Sequence, residues 1–431
     1  MKIAVIGSGI SGIVASYHLR KEHQVTLFEK NDYLGGHTAT KELDGEHQGQ
    51  AIDTGFIVFN DRTYPRFQAF LAQLKVPYQN TDMSYSVSNP AENLEYNGHT
   101  FSTLFAQKRN WFNPKFYRFL YDIYRFNKLA KASYANGEID ENSSLSEFLE
   151  QHKFNQFFRI NYLMSMGAAI WSSSIKDMDE FPALFFIRFF VNHGLLEITD
   201  RPQWYVIKGG SHQYVKAWRE QVDGDIEFAS GATSVRRKNS AEGALPTRFI
   251  VSHGSGEDEF DAVVFACHSD EALTLLGESA SALENDILGD IPYQQNDVIL
   301  HTDTSRLPER QAAWAAWNYM LDDSEHPQAT LTYNMNILQG LQSKHTYCVS
   351  LNQSEQIDPD KIIGTYLYDH PVFNRTSFAA QQRRAEINGV DGCYFCGAYW
   401  YNGFHEDGVR SAQDVVELIA AKGAELPRNA A

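Results

Sequence analysis

At 431 residues, 43% hydrophobic and 21% charged, the chain has length for two or three domains and a sizeable core. Its formal charge of −17 argues against nucleic acid as a partner, because a phosphate backbone calls for a basic face. No uninterrupted apolar run of about eighteen residues occurs, which argues against a spanning helix.

The chain opens on Lys2-Ile3-Ala4-Val5-Ile6, a short strand, and runs through Gly7-Ser8-Gly9-Ile10-Ser11-Gly12 into a helix. In that setting the glycines form a dinucleotide-binding fingerprint. Gly7 allows the tight turn, Gly9 lets a pyrophosphate approach the backbone, and Gly12 lets the helix pack closely on the strand. The diphosphate then meets N–H groups left unpaired at a helix start, Ser8 and Ser11 lying beside it. A second strand, Gln24 to Phe28, delivers Glu29 to the ribose hydroxyls, and an acid there disfavours a 2′-phosphate. The ligand is therefore FAD or NAD rather than NADP. The first twenty residues could pass for a signal peptide, but the glycine spacing reads them as the first βα unit, so a cytoplasmic location is expected.

Two more glycine-bearing turns follow, Tyr33-Leu34-Gly35-Gly36-His37-Thr38 and Ile52-Asp53-Thr54-Gly55-Phe56-Ile57. With Lys30 they extend the candidate cofactor set to Gly35, Gly36, His37, Thr38, Gly55 and Phe56. From about 100 to 200 the chain turns helical and aromatic, as in Phe116 to Phe126 and Phe181 to Val191. Within it, 108–131 sets Lys108, Arg109, Lys115, Arg118, Arg125, Lys128 and Lys131 against one acid, Asp122, among eight aromatics. Such a helix either lies on an anionic bilayer, giving peripheral contact at the inner face of the membrane, or buries its aromatic face and solvates its bases.

Strand signals return over 201–270, at Trp204-Tyr205-Val206-Ile207, Ile226-Glu227-Phe228, Ser234-Val235-Arg236 and Asp261 to Ala266, and again over 290–385. Gly392 to Lys422 reads as strand, glycine turn and helix. The expected fold is α/β. A discontinuous Rossmann-like nucleotide domain (1–75, 201–270, 386–431) is interrupted by a mixed α+β substrate domain (76–200, 271–385) with a helical aromatic-rich part. Cys393 and Cys396 have C-x-x-C spacing, but residues three apart on a strand face opposite ways, so buried thiols are expected rather than a redox pair or metal site. No metal is expected.

Four blocks in order, Gly7 to Glu29, Gly35-Gly36, Gly209-Gly210-Ser211 with the helix after it, and Phe395-Cys396-Gly397-Ala398 with Gly403 to Ala412, resemble the FAD-dependent amine oxidase superfamily. Trp400 to Val409 and Trp317-Asn318-Tyr319 are similar to a bacterial group known only as predicted NAD/FAD-binding proteins, often encoded near cyclopropane-fatty-acid synthases. The resemblance implies non-covalent FAD, its pyrophosphate on Gly7, Gly9 and Gly12 and its ribose on Glu29. It further implies Ala232 near adenine, Gly397 near the ribityl phosphate, and Gly408-Val409 offering an N–H to the flavin pyrimidine. The family usually has arginine after the double glycine, where this chain has His37.

The same resemblance implies His405 as a polar group beside the flavin ring, Tyr399 and Phe404 as walls, and Trp317 as substrate lining. Amine oxidases carry a lysine near flavin N5 on a strand matching Pro292 to Leu300, and no lysine lies there. The leading expectation is hydride removal from an apolar small molecule or lipid, an acyl chain or polyene, in the manner of a desaturase. Amine oxidation and a redox-neutral isomerase or mutase stand as alternatives.

Overall fold

The structure is a computed structural model that describes residues 1–197, 199–238, 248–321 and 330–425. Five parallel strands form the nucleotide-side sheet, in the order Ile226–Ser230, Gln24–Glu29, Lys2–Ile6, Ala262–Phe265, Cys393–Phe395. They read as apolar runs because both faces are covered. Ile3 and Val5 enter one core with helix Ile10–Leu19 and the C-terminal helix His405–Glu425, while Ala4 and Ile6 enter another on the opposite face. That second core is closed by an antiparallel sheet of Ala232–Lys238, Arg248–His253 and Gly256–Phe260, which lies in the chain between strands Ile226–Ser230 and Ala262–Phe265.

Cys393 and Cys396 fall into these two different cores, and all four cysteines are free. The strand order changes direction between Lys2–Ile6 and Ala262–Phe265, so the turn at Gly7 and the segment from Ala266 to His268 flank a crevice at the carboxyl ends of the strands. That is where α/β sheets of this kind bind ligands.

A second sheet has seven strands, in the order Ile362–Pro371, Tyr293–His301, Cys348–Leu351, Leu331–Asn334, Trp317–Met320, Tyr85–Asn89, Leu94–Asn97, antiparallel except for the pairing of Trp317–Met320 with Tyr85–Asn89. Helices Pro114–Ala135 and Ala183–Asn192 share with it a core rich in phenylalanine, including Phe116, Phe119, Phe126, Phe186 and Phe190. The first of these starts where Asn113 accepts from the Lys115 N–H and Pro114 occupies the first helical position.

Two features cross the expected domain boundaries, one at 271 and one at 76. Helices Ser269–Leu276 and Ala282–Gly289 bury Ala272, Leu276, Ile287 and Leu288 against the parallel sheet, not the seven-stranded one. Strand Tyr78–Thr81 pairs with Trp204–Ile207 and so ties the two parts together. Among the described residues, no helix is long and apolar enough to cross a membrane.

Candidate active site

One cavity of about 860 Å³ runs from the first glycine turn to the aromatic helices. Its nucleotide end is shaped by absent side chains. Gly7 has φ +100°, and a Cβ on Gly12 would come within 1.9 Å of the Gly7 carbonyl oxygen. Gly36, at φ +58°, lies so near Gly9 that its Cβ would stand 3.1 Å from the Gly9 Cα. A Cβ on Gly9 itself would meet nothing, because Gly9 faces open cavity at a helix start. This is a cradle for a diphosphate. Glu29 Oε2 accepts from the Ser8 N–H (2.9 Å) and hydroxyl (2.6 Å), which fixes the carboxylate beside the turn. Lys30 pairs with Glu271 at the same end.

In the middle, three imidazoles line up. His37 stacks on His370 at 5.4 Å and on His268 at 5.8 Å, and Asn296 Nδ2 lies 2.8 Å from His370 Nδ1. Burial, and after it the neighbouring imidazoles, holds His37 well below the usual histidine range; burial pushes His370 down to about 4. The Tyr399 ring lies over Gly397, where a Cβ would come within 2.1 Å of it, and the Tyr399 hydroxyl is buried without a protein partner.

The far end is apolar. Trp171, Phe189, Trp317, Phe373 and Phe404 line it, with Phe189 and Phe404 stacked at 5.1 Å. Trp171 Nε1 and Trp317 Nε1 are buried without partners. His193 stacks on Phe189 at 3.8 Å and its Nδ1 is 3.0 Å from the Phe189 carbonyl oxygen. A carbonyl only accepts, so Nδ1 carries the proton and Nε2 is the basic atom. Burial lowers its pKa to about 4.

Most sequence-derived positions meet at this cavity: Gly7, Ser8, Gly9, Ser11, Glu29, Lys30, Gly35, Gly36, His37, Gly55, Phe56, Ala232, Gly397, and the candidates Trp317, Tyr399, Phe404 and His405. Four do not line it. Gly12 acts through its contact with Gly7, and Thr38 is turned to Tyr214, with 2.5 Å between the hydroxyls. Gly408 and Val409, expected at the flavin pyrimidine, lie in helix packing outside the cavity lining. A Cβ on Gly408 would stand 2.6 Å from Ile10 Cγ2, Ser11 Oγ donates to the Gly408 carbonyl (3.0 Å), and Val409 is fully buried. The Gly408 N–H is spent on the Phe404 carbonyl (3.1 Å), so the helix-start N–H groups without intrahelical acceptors are those of His405 and Glu406.

His405 lines the cavity with one of its two ring nitrogens engaged. Nε2 lies 2.9 Å from the Tyr214 hydroxyl, and burial pushes its pKa down to about 3. Below it, buried Asp53 accepts from the Ser211 N–H (2.9 Å), the Ser211 hydroxyl (2.9 Å) and Thr40 (2.5 Å), which holds the Gly209-Gly210-Ser211 turn. Burial raises Asp53 to about 6 even against these donors. Sequence reading missed His193, His268, His370 and Arg201, all of which line the cavity. No local motif marks them, because they reach it from separate elements.

The model of the flavin containing amine oxidoreductase family matches residues 10–288, and the chain belongs to that family. It is an FAD-dependent oxidoreductase. The 4,4'-diapolycopen-4-al dehydrogenase of Metabacillus indicus is 48% identical over 56 residues, 13% of this chain and 11% of that protein. The 1-hydroxycarotenoid 3,4-desaturase of Flavobacterium sp. is 51% identical over 45 residues, 10% of this chain and 9% of that protein. These matches thus span only about a tenth of either relative. Over 98% of this chain, the structure of cyclohexylamine oxidase from Brevibacterium oxydans IH-35A matches with a TM-score of 0.69 at 14% identity, covering 99% of that chain. A fatty acid isomerase from P. acnes that produces CLA matches over 96% of this chain and 98% of its own, with a TM-score of 0.68 at 13% identity. The residues present fit FAD: the open face at Gly9, the close approach of Gly36, and Glu29 at the strand end form the cradle its ADP half requires.

Proposed function

We propose that this protein oxidises an apolar substrate, a lipid acyl chain or polyene, introducing a double bond. The observation that carries this reading is the aromatic end of the cavity. The acids lining the cavity are Glu29, Asp270 and Glu271 at the nucleotide end and Asp369, whose carboxylate accepts from Gln295. None sits among Trp171, Phe189, Trp317, Phe373 and Phe404, so an ammonium group entering there would be desolvated without a counter-charge. Strand Tyr293–His301, where an amine oxidase carries its lysine, contributes Tyr293 and Val298 to the cavity.

When bound, FAD supplies the hydride acceptor, and an external oxidant later takes up the electrons. The chain's own work is to bind, dry and orient. Gly7, Gly9 and Gly36 hold the diphosphate, Trp317 and Phe404 exclude water and position an apolar chain, and His193 Nε2 stands as the basic atom for a proton released from substrate.

The test is an anaerobic titration of the FAD-loaded protein with a total lipid extract and, separately, with simple amines. Bleaching of the oxidised flavin band by lipid alone supports the proposal. Bleaching by amines alone overturns it in favour of amine oxidation. Lipid turnover by pre-reduced enzyme without an acceptor overturns it in favour of a redox-neutral isomerase.

A further inference from the structure

We infer that the face formed by residues 101–124 docks the protein on an anionic lipid bilayer, with one end of the cavity beside the contact. The sequence offered two readings of 108–131, which overlaps this face, and the helix Pro114–Ala135 contains both faces. Phe116, Phe119 and Phe126 are buried, whereas Tyr117, Tyr121 and Tyr124 on the opposite side are 47%, 55% and 54% exposed. Phe112, just before the helix, is 91% exposed, Phe101 65% and Trp111 44%. Of the twelve exposed large apolar or aromatic side chains among the described residues, these are six. A concentration of that kind on one segment marks an interaction surface rather than scattered surface carbon.

The patch is continuous. Trp111 stacks on Phe105 at 4.3 Å and meets Phe101 edge-on at 5.4 Å, and the Tyr117 hydroxyl donates to the Trp111 carbonyl at 3.0 Å. Tyr121 and Tyr124 continue it one and two turns along the helix.

Charge names the occupant. In a chain of net charge −17, Lys108, Arg109 and Arg118 are exposed on this same segment, and exposed Lys128 follows one turn further along the helix. Its one acid, Asp122, is fully buried, where it bonds Asn155 Nδ2 at 2.6 Å and pairs with Arg118. Glu92 approaches from a neighbouring turn and neutralises Lys115. The outward charge of the segment is therefore basic, interleaved with tryptophan and tyrosine. An anionic headgroup layer attracts such side chains, and aromatic rings settle at its boundary. A two-fold contact with a second copy would instead set this basic face against itself.

Position supports the same occupant. Gly98 and Arg201 are exposed residues that line the cavity, and Arg201 Nη2 donates to the Gly98 carbonyl (3.3 Å) three residues before Phe101. The patch thus begins at a cavity opening.

The experiment is co-sedimentation of the FAD-loaded protein with vesicles of phosphatidylcholine alone and of phosphatidylcholine with 30–40% phosphatidylglycerol, roughly the anionic fraction at which polybasic attraction is strong. We expect at least tenfold stronger association with the anionic vesicles, reduced at least fivefold by raising the salt. Trp111→Ser with Phe112→Ser, or Tyr121→Ser with Tyr124→Ser, should lower it at least tenfold while flavin absorbance is retained. Quenching of tryptophan emission by brominated lipid that is lost in Trp111→Phe gives an independent readout in case one variant pair folds poorly. Equal sedimentation with and without vesicles overturns the inference, as does vesicle binding that both variant pairs leave unchanged. Self-association without lipid that the same variants abolish would assign the face to a second copy instead.

Discussion

The imidazole of His405 lies face to face on the ring of Phe56, centroids 3.7 Å apart and planes within 9°, while Phe67 meets it edge-on at 5.1 Å. Its one outward bond runs to Tyr214. A histidine held on three sides is a structural member of the cavity wall. His405→Ala should therefore lower unfolding free energy by about 2–4 kcal/mol, as for other large-to-small core changes. His405→Phe keeps the stack, gives up one hydrogen bond, and should cost only about 1 kcal/mol. Urea unfolding of the two variants checks this; equal losses would show that the stack contributes nothing.

Acid should destabilise the fold from near neutrality. Burial holds His37 well below the usual range, His193, His301 and His370 at about 4, and His405 at about 3. Their unfolded value is 6.5, so below it the unfolded chain binds more protons than the folded one. Stability is then lost as pH falls, by up to about 1.4 kcal/mol per group and pH unit. Burial acts oppositely on Asp53 and Asp407, raised to about 6 and about 7, and on Glu406. Their contribution is full below the unfolded carboxylate range and fades as pH rises through the folded values. The imidazoles outnumber them, so the urea midpoint should drop from pH 7 to pH 5, and less steeply in His405→Phe. A midpoint that rises on acidification would refute the balance.

Two glycines separate folding from cofactor binding. A methyl at Gly9 meets no protein atom, and its backbone, φ −63° and ψ 176°, suits alanine. Gly9→Ala should keep the stability of the FAD-free protein within about 0.5 kcal/mol and weaken FAD binding at least tenfold. Gly12→Ala collides with the Gly7 carbonyl and should lose both. Thermal unfolding and FAD titration distinguish them. Unimpaired FAD binding by Gly9→Ala would remove the diphosphate from this turn.

His193→Phe preserves an aromatic ring on Phe189 and removes the Nε2 base. FAD content should be unchanged, and flavin reduction by a bleaching lipid should slow by about 10² or more, the lower range of general-base effects. A rate within twofold of the parent would show that His193 only fills space.

Glycine spacing and strand alternation made the nucleotide end legible in the chain alone. Gly7 to Gly12 and Glu29 depend on backbone conformations and strand-end positions that local order dictates, and the turn and the strand end lie side by side in the structure. The buried, unlinked Cys393 and Cys396 follow from strand geometry in the same way. Other assignments depended on which neighbour a side chain finds. Gly408 meets Ile10, nearly four hundred residues away in the chain, so its use in helix packing is invisible from its own surroundings. His405 finds Phe56 and Tyr214, and His37 finds His268 and His370, each on a different element. The face of Pro114–Ala135 that points outward was likewise open in the sequence, because aromatics occupy both sides of the helix. Packing within the phenylalanine-rich core decided it, burying Phe116, Phe119 and Phe126 and leaving Tyr117, Tyr121 and Tyr124 in contact with the surroundings.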